Sequence, residues 1–367
     1  MIRFTLRQFR TQAEVGVGAL VVLAVVLLVT GVHLFHVYDT TVAHCATHND
    51  CVAATSSYLQ IDATLRSALN TLVVVVPGII GVFWGAPLIA RELEAGTFRL
   101  ALTQGVTRAR WLFLKLGVVG LASMAAAGLM SLMVTWWSSQ ADRVNMELFS
   151  TFGQRDIAPV GYAAFAFVLG TTAGVIIRRT VPAMATTLAA FVVVRILDNQ
   201  YLLPHLLAPV RRSYALSLGS TIAGYGGQNG GAASLFPGTP NIPNAWILTT
   251  DITNKAGQVL TPGVVKATCP QLGTALGGGL VGGKSGPIPV HVHGGTGHVS
   301  AIGPAPTGAQ QVLQSCVSKI GASYHEVAAY QPSAHYWPLQ WIELGVYLVV
   351  ALGLAGLSFW WIWRRHV

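Results

Sequence analysis

Six stretches of about 20 apolar residues constrain this chain more than any other feature of its sequence. A helix rises 1.5 Å per residue, so about 20 residues cross a hydrocarbon core of about 30 Å. The stretches run over about 16–36, 67–90, 111–137, 159–177, 181–203 and 338–363. In lipid every backbone amide must bond within its own segment, and helices meet that demand. The predicted fold class is therefore an all-α polytopic membrane protein with six transmembrane helices. Pro77 and Gly78 fall near the middle of the second span and predict a local irregularity there. Composition agrees: 53% of the residues are hydrophobic and 10% charged, whereas a soluble domain carries about 25% charged residues.

Before the first span, Arg3, Arg7 and Arg10 recur at helical spacing opposite Ile2, Leu6 and Phe9. That pattern predicts an amphipathic helix over 1–15 lying in the membrane interface. Residues 16–203 then hold five spans with a charged loop at 91–110, and residues 338–367 hold the sixth span and a tail. The intervening stretch, 204–337, is rich in Gly, Pro and Thr and is too polar for lipid. It is either a small extracytoplasmic domain or a partly mobile loop, and a loosely folded domain with a short helix near 310–320 is the favoured reading.

Lys and Arg in short loops set orientation. One set of ends carries twelve of them: Arg3, Arg7, Arg10, Arg91, Arg99, Arg108, Arg110, Lys115, Arg178, Arg179, Arg364 and Arg365. The other set carries three, Arg66, Arg143 and Arg155. Both termini are thus expected on the cytoplasmic side of the cell membrane. The formal charge of +9 is scattered in twos and threes at span ends. It anchors to anionic headgroups; membrane lipids are an expected partner and nucleic acid is not.

Cys45, Cys51, Cys269 and Cys316 fall in stretches placed outside the cytoplasm, where two disulfides are natural. Three pairings are open; Cys45–Cys51 with Cys269–Cys316 is the simplest, because it closes each loop on itself.

The 91–110 loop carries the clearest functional signal. Arg91, Glu92, Glu94 and Arg108 give it charges of both signs, whereas topology needs only basic ones. Gly96-Thr97 interrupts a helical pattern, and Thr107 stands where a helix cap is wanted. Such an element suits docking of a soluble partner at the membrane surface.

These residues resemble the type-2 ATP-binding-cassette (ABC-2) permeases, those of actinobacteria in particular. That family's pattern has a Glu, Gly-Thr, a Leu-rich strip, Ser/Thr-Arg, an aromatic or apolar residue, and a Lys opening the third span. Glu92 or Glu94, Gly96, Thr97, Leu100, Leu102, Thr107, Arg108, Trp111 and Lys115 match it. The amphipathic start and Tyr336-Trp337-Pro338 before the last span are similar too. Compact members have short external loops, and the 204–337 insertion departs from them. The resemblance implies a permease subunit of an ATP-driven exporter moving a hydrophobic or amphipathic small molecule. It implies a cytoplasmic ABC ATPase as partner and a second permease copy or paralogue as dimer mate. ATP and Mg would be bound by that ATPase, leaving this chain without a cofactor of its own. The other reading is a membrane-anchored receptor or scaffold whose exported domain binds a ligand or envelope partner.

Charges inside spans are rarer and more telling. Arg195 and Asp198 share a helix face, and Glu343 lies in the sixth span. They form either a structural ion pair or a polar lining of the transport pathway. Residues 278–285 fit GxxxxGK[ST], but Pro287 and Pro289 prevent the helix that a phosphate loop needs, so a glycine-rich loop is expected. His291, His293 and His298 have imidazoles that bind metals, but no acidic or Cys ligand is near in sequence, and no metal is expected. No GxSxG or HExxH motif occurs, and catalysis is not expected of this chain.

Overall fold

The computed structural model describes residues 2–42, 57–58, 60–61, 63–96, 107–145, 148–216, 221–225, 233–237, 240, 242–275, 281–282, 289–292, 295–298 and 309–364. The chain forms two compact units, Met1–Leu207 with Ser333–Val367, and Ala208–Pro332.

The first unit is helical. Its elements are α1 (Ile2–Val37), α2 (Ala63–Ile80), α3 (Ala86–Glu94), α4 (Arg108–Asn145), α5 (Ala158–Ile177), α6 (Thr180–Leu197) and α10 (Tyr336–Arg364). A π-helical stretch at Gly81–Gly85 joins α2 to α3 into one span. Six helices are long and apolar enough to cross a membrane, so the protein is a multi-pass membrane protein. The irregularity expected near Pro77 is this widened turn just beyond it. The proline itself, which cannot donate to the preceding turn, stays inside α2.

The boundary expected near residue 15 is a correction: α1 is continuous from Ile2 to Val37. No proline interrupts it, and its beginning is tied along the second span. Phe9 is buried edge-on against Trp84, with ring centroids 4.9 Å apart. Gln12 Nε2 donates to the Phe83 carbonyl at 3.0 Å. These contacts hold the basic stretch in line with the span instead of letting it turn along the surface.

Helix α5 is the hub. In its most apolar stretch 67% of residues are buried, against 11–56% in the other spans. Lipid tails are as apolar as Leu, so helices associate in a membrane by close van der Waals packing, which small residues permit. Gly81 and Gly85 face Gly170 and Gly174 across the closest crossing. A Cβ on Gly170 would stand 2.2 Å from the Gly81 carbonyl oxygen. One on Gly85 would stand 2.5 Å from the Phe167 oxygen, and one on Gly174 would stand 2.6 Å from the Ala86 oxygen. Backbone therefore lies on backbone, with no room for a side chain.

Contacts at the ends fix the helix directions. Ile89 of α3, Trp111 and Leu112 of α4, Val175 of α5 and Ile362 of α10 form one buried cluster. The far end joins α4, α5 and α10. There Ser131 Oγ donates to the Asp156 carbonyl at 2.8 Å, and the Ala158 amide donates to Gln340 Oε1 at 2.9 Å. Successive spans thus alternate in direction, and the start of α4, the end of α5 and the end of α10 share one end of the bundle.

The second unit mixes strands and helices. Strands β1 (Val210–Ala215), β8 (Tyr324–Gln331) and β4 (Trp246–Asn254) form an antiparallel sheet in the order β1-β8-β4. Strands β3 (Ala233–Pro237), β2 (Thr221–Tyr225) and β5 (Val281–Gly282) form another, and β6 (Pro289–Val292) pairs with β7 (Gly295–His298). Helices α7 (Pro262–Thr268) and α9 (Ala309–Gly321) are joined by the Cys269–Cys316 disulfide, with Cα atoms 5.6 Å apart; a four-residue α8 (Leu272–Ala275) lies between them. Helix α9 realises the short helix expected near 310–320. Leu313, Cys316, Val317 and Ile320 recur on one face and enter a core with Leu235, Ile252, Val265 and Leu272. Closing the 47-residue separation restricts the unfolded chain by about 4 kcal/mol in the chain-entropy account. Val210 pairs with Tyr330, so this unit begins and ends at neighbouring points, as an inserted domain does. Cys45 and Cys51 lie outside the described residues.

Gly170→Ala is expected to destabilise the protein by about 1–3 kcal/mol, because its methyl group meets backbone that cannot step aside. Gly356→Ala, where the added Cβ meets nothing, is the matched control. Thermal unfolding in detergent checks both; equal midpoints would contradict the close crossing.

Candidate functional site

Two groups of polar residues stand out in the helical unit, one at each end of α6. The first surrounds the end of α3. Ala95 caps that helix, its amide donating to the Arg91 carbonyl at 3.0 Å. Gly96 follows with φ of +69°, the left-handed position that ends helices and that glycine occupies without strain. Arg91 itself is exposed.

The two glutamates at the end of α3 each reach a neighbouring helix, Glu92 from a partly buried position and Glu94 from an exposed one. Glu92 accepts a hydrogen bond and ion pair from Lys115 of α4, whose side chain is 2% exposed. The Lys115 ammonium also lies 4.9 Å from the centre of the Trp111 ring. Glu94 reaches α6: its Oε2 accepts from the Thr180 amide at 3.1 Å and from Thr180 Oγ1 at 2.7 Å. A carboxylate at a helix N-terminus satisfies an otherwise unpaired amide and meets the positive end of the helix dipole. Arg178, at φ of +60°, and extended Arg179 make the tight link between α5 and α6 that leaves Thr180 facing Glu94.

Thr107 is the cap that the sequence predicts. Its Oγ1 accepts from the Arg110 amide at 3.4 Å as α4 begins at Arg108. The Arg108 side chain and the whole segment 97–106, Thr97 included, lie outside the described residues.

The second group is buried within the bundle. Arg195, Asp198 and Glu343, expected either to pair or to line a pathway, do come together. Arg195 Nη1 donates to Asp198 Oδ2 at 2.6 Å and stands 3.5 Å from Glu343 Oε1. Two tyrosines complete the cluster. Tyr347 Oη donates to Asp198 Oδ2 at 2.9 Å, and Tyr162 Oη donates to Glu343 Oε1. The guanidinium lies 3.7 Å from the centre of the Tyr162 ring. Asp198 is 4% exposed and Glu343 1%. Two carboxylates share one guanidinium, and Asp198 Oδ1 and Glu343 Oε2 have no hydrogen-bond partner.

Tyr162 and Tyr347 are members of the cluster that sequence reasoning missed. A phenol within an apolar helix, on a span that faces charged residues, is the signal that marks them. Outside the spans, His291 and His298 lie on the paired strands β6 and β7, where His291 stands opposite Thr296 and His298 opposite Pro289. His293 lies outside the described residues. Within residues 278–285 only Val281 and Gly282 are described, as strand β5 pairing with β2.

Arg195→Gln strands two buried carboxylates and is expected to cost about 3–5 kcal/mol, whereas Glu343→Gln removes the excess charge and costs less. Unfolding in mixed detergent ranks the two variants; the reverse order would refute the charge count.

The chain matches the family described as ABC-2 membrane transporter related over residues 17–202. That region contains α3, the start of α4, α6, Arg195 and Asp198. No curated protein and no solved structure matches the chain significantly. With half of its length matched, from within the first span to the end of the fifth, the chain belongs to the ABC-2 membrane transporter related family.

Proposed function

We propose that this chain is the membrane-spanning permease subunit of an ATP-driven exporter in the cytoplasmic membrane, with both termini inside. A separate ATPase subunit binds ATP and Mg and docks on the segment 91–110. Two permease copies, or one copy and a paralogue, form the pathway. The cargo is a hydrophobic or amphipathic small molecule, because the polar groups inside the spans are few and the surrounding walls apolar. The disulfide-bonded unit 208–332 is the observation behind the second reading, an anchored receptor. The family match over the spans ranks transport above it.

One observation carries the transport reading: the double anchorage at the end of α3. Glu92 ties it to α4 and Glu94 ties it to α6. A push on the adjoining loop therefore moves three spans together. Helix α6 begins at Thr180 and reaches Asp198 18 residues later, a rigid rod of about 27 Å. It connects the anchored end to the buried charged cluster. ATP binding does mechanical work only through different affinity for two conformations, and a rod whose two ends carry distinct polar contacts offers two such arrangements.

The test uses the complex with its ATPase, reconstituted in lipid. Replacing Glu92 and Glu94 together by Ala is expected to reduce cargo-stimulated hydrolysis at least tenfold, while the ATPase subunit alone keeps its basal rate. Thr180→Val keeps its backbone amide donor and loses the hydroxyl, so it serves as the milder variant and gives a partial loss. Unchanged stimulation in a folded double variant would exclude the coupling role.

A further inference from the structure

A cavity of about 380 Å³ lies between α6 and α10, floored by Phe165 of α5. Its walls are Val194, Leu197, Val346 and Val350, and Asp198 and Tyr347 also line it. Leu197 is 51% exposed and Val350 45%, so the groove opens sideways, toward the acyl chains of a surrounding bilayer. It joins an apolar body of space to a buried carboxylate with one oxygen, Oδ1, that lacks a partner.

Charge decides what fits. Counted as ionised, Asp198 and Glu343 carry one more negative charge than Arg195 neutralises. A further pair among the described residues, Arg155 and Asp156, is 3.7 Å apart and cancels itself. A buried carboxylate without compensation costs several kcal/mol, and in a low-dielectric surrounding a nearby cation recovers much of that cost. An anion would meet two carboxylates, and a neutral lipid tail would leave the excess charge as it is. A bare metal ion finds too few ligands, since no group of three His, Cys, Asp or Glu stands together among the described residues.

We propose that this groove is a binding site for a hydrophobic organic cation, its charged head at the Asp198 carboxylate and its apolar body along Phe165, Val194, Val346 and Val350. The proposal rests on the permease reading and names the cargo class for it. Such a molecule partitions into lipid and enters from the side, without crossing water. Tyr347, which donates to Asp198 Oδ2, and Arg195 hold the carboxylate in place while Oδ1 remains free for the head.

Equilibrium binding to the purified full chain in discs of zwitterionic lipid tests this directly. Tetraphenylphosphonium is expected to bind saturably, and tetraphenylborate, of the same shape and opposite charge, is not. Asp198→Asn should weaken the phosphonium at least tenfold. Val350→Trp, which fills the groove and leaves the charged cluster intact, should abolish its binding, and it decides the matter should Asp198→Asn fail to fold. Equal binding of both ions marks the groove as a seat for acyl chains and overturns the proposal. No saturable binding of either ion to the wild-type chain overturns it as well, as does phosphonium binding unchanged by Val350→Trp. No ATPase takes part in this assay. A negative result beside intact coupling therefore leaves the transport reading standing with another cargo class.

Discussion

The crossing of Gly81 and Gly85 over Gly170 and Gly174 is the contact on which the helical unit depends. Within lipid there is no hydrophobic gain from bringing two helices together, so the bundle needs surfaces that fit at backbone range. Four glycines supply one, and the π-helical turn at Gly81–Gly85 shapes the second span to it. With α5 held against that span, the remaining helices take places around it. Glu94 then faces Thr180, and Tyr162 of α5 faces Glu343 of α10. Moving α5 outward by the width of one methyl group would disturb both polar groups at once.

Polar groups inside the bundle are concentrated where they do two things. At the end of α3 they tie three spans together through Glu92 and Glu94 in the last turn of that helix. In the bundle they hold two carboxyl groups, a guanidinium and two phenols in mutual contact. Buried polar networks bind strongly when complete and are costly when incomplete. At the anchored end Lys115 meets Glu92 and Glu94 meets Thr180. The network in the bundle leaves two carboxylate oxygens unmet.

Much of this was legible in the sequence, for physical reasons that are easy to name. Apolar runs of spanning length leave a chain one kind of fold, so the six helices follow from hydropathy alone. Arg195 and Asp198, three apart on one helix, were bound to meet. Gly96 ended a helix through its freedom to take positive φ, and Thr107 began one through its hydroxyl. Other features depend on the partner helix and were hidden. Gly81-xxx-Gly85 and Gly170-xxx-Gly174 are common spacings that mean little until they face one another. The basic stretch before Gly16 had the pattern of a surface helix, and contacts with Trp84 and Phe83, remote in sequence, straightened it. In the Gly-rich insertion, short strands without strict alternation gave little warning of the three small sheets found among the described residues; the period-3.6 pattern of α9 was its clearest signal.

The central claim is that the end of the bundle where Glu92 and Glu94 tie three spans together faces the compartment that holds ATP. A single cysteine introduced as Thr97→Cys, probed with a membrane-impermeant thiol reagent, tests it most directly. The account predicts protection in intact cells and rapid modification in inside-out vesicles. Modification from outside intact cells would invert the topology and remove the basis for an ATPase pushing on this loop.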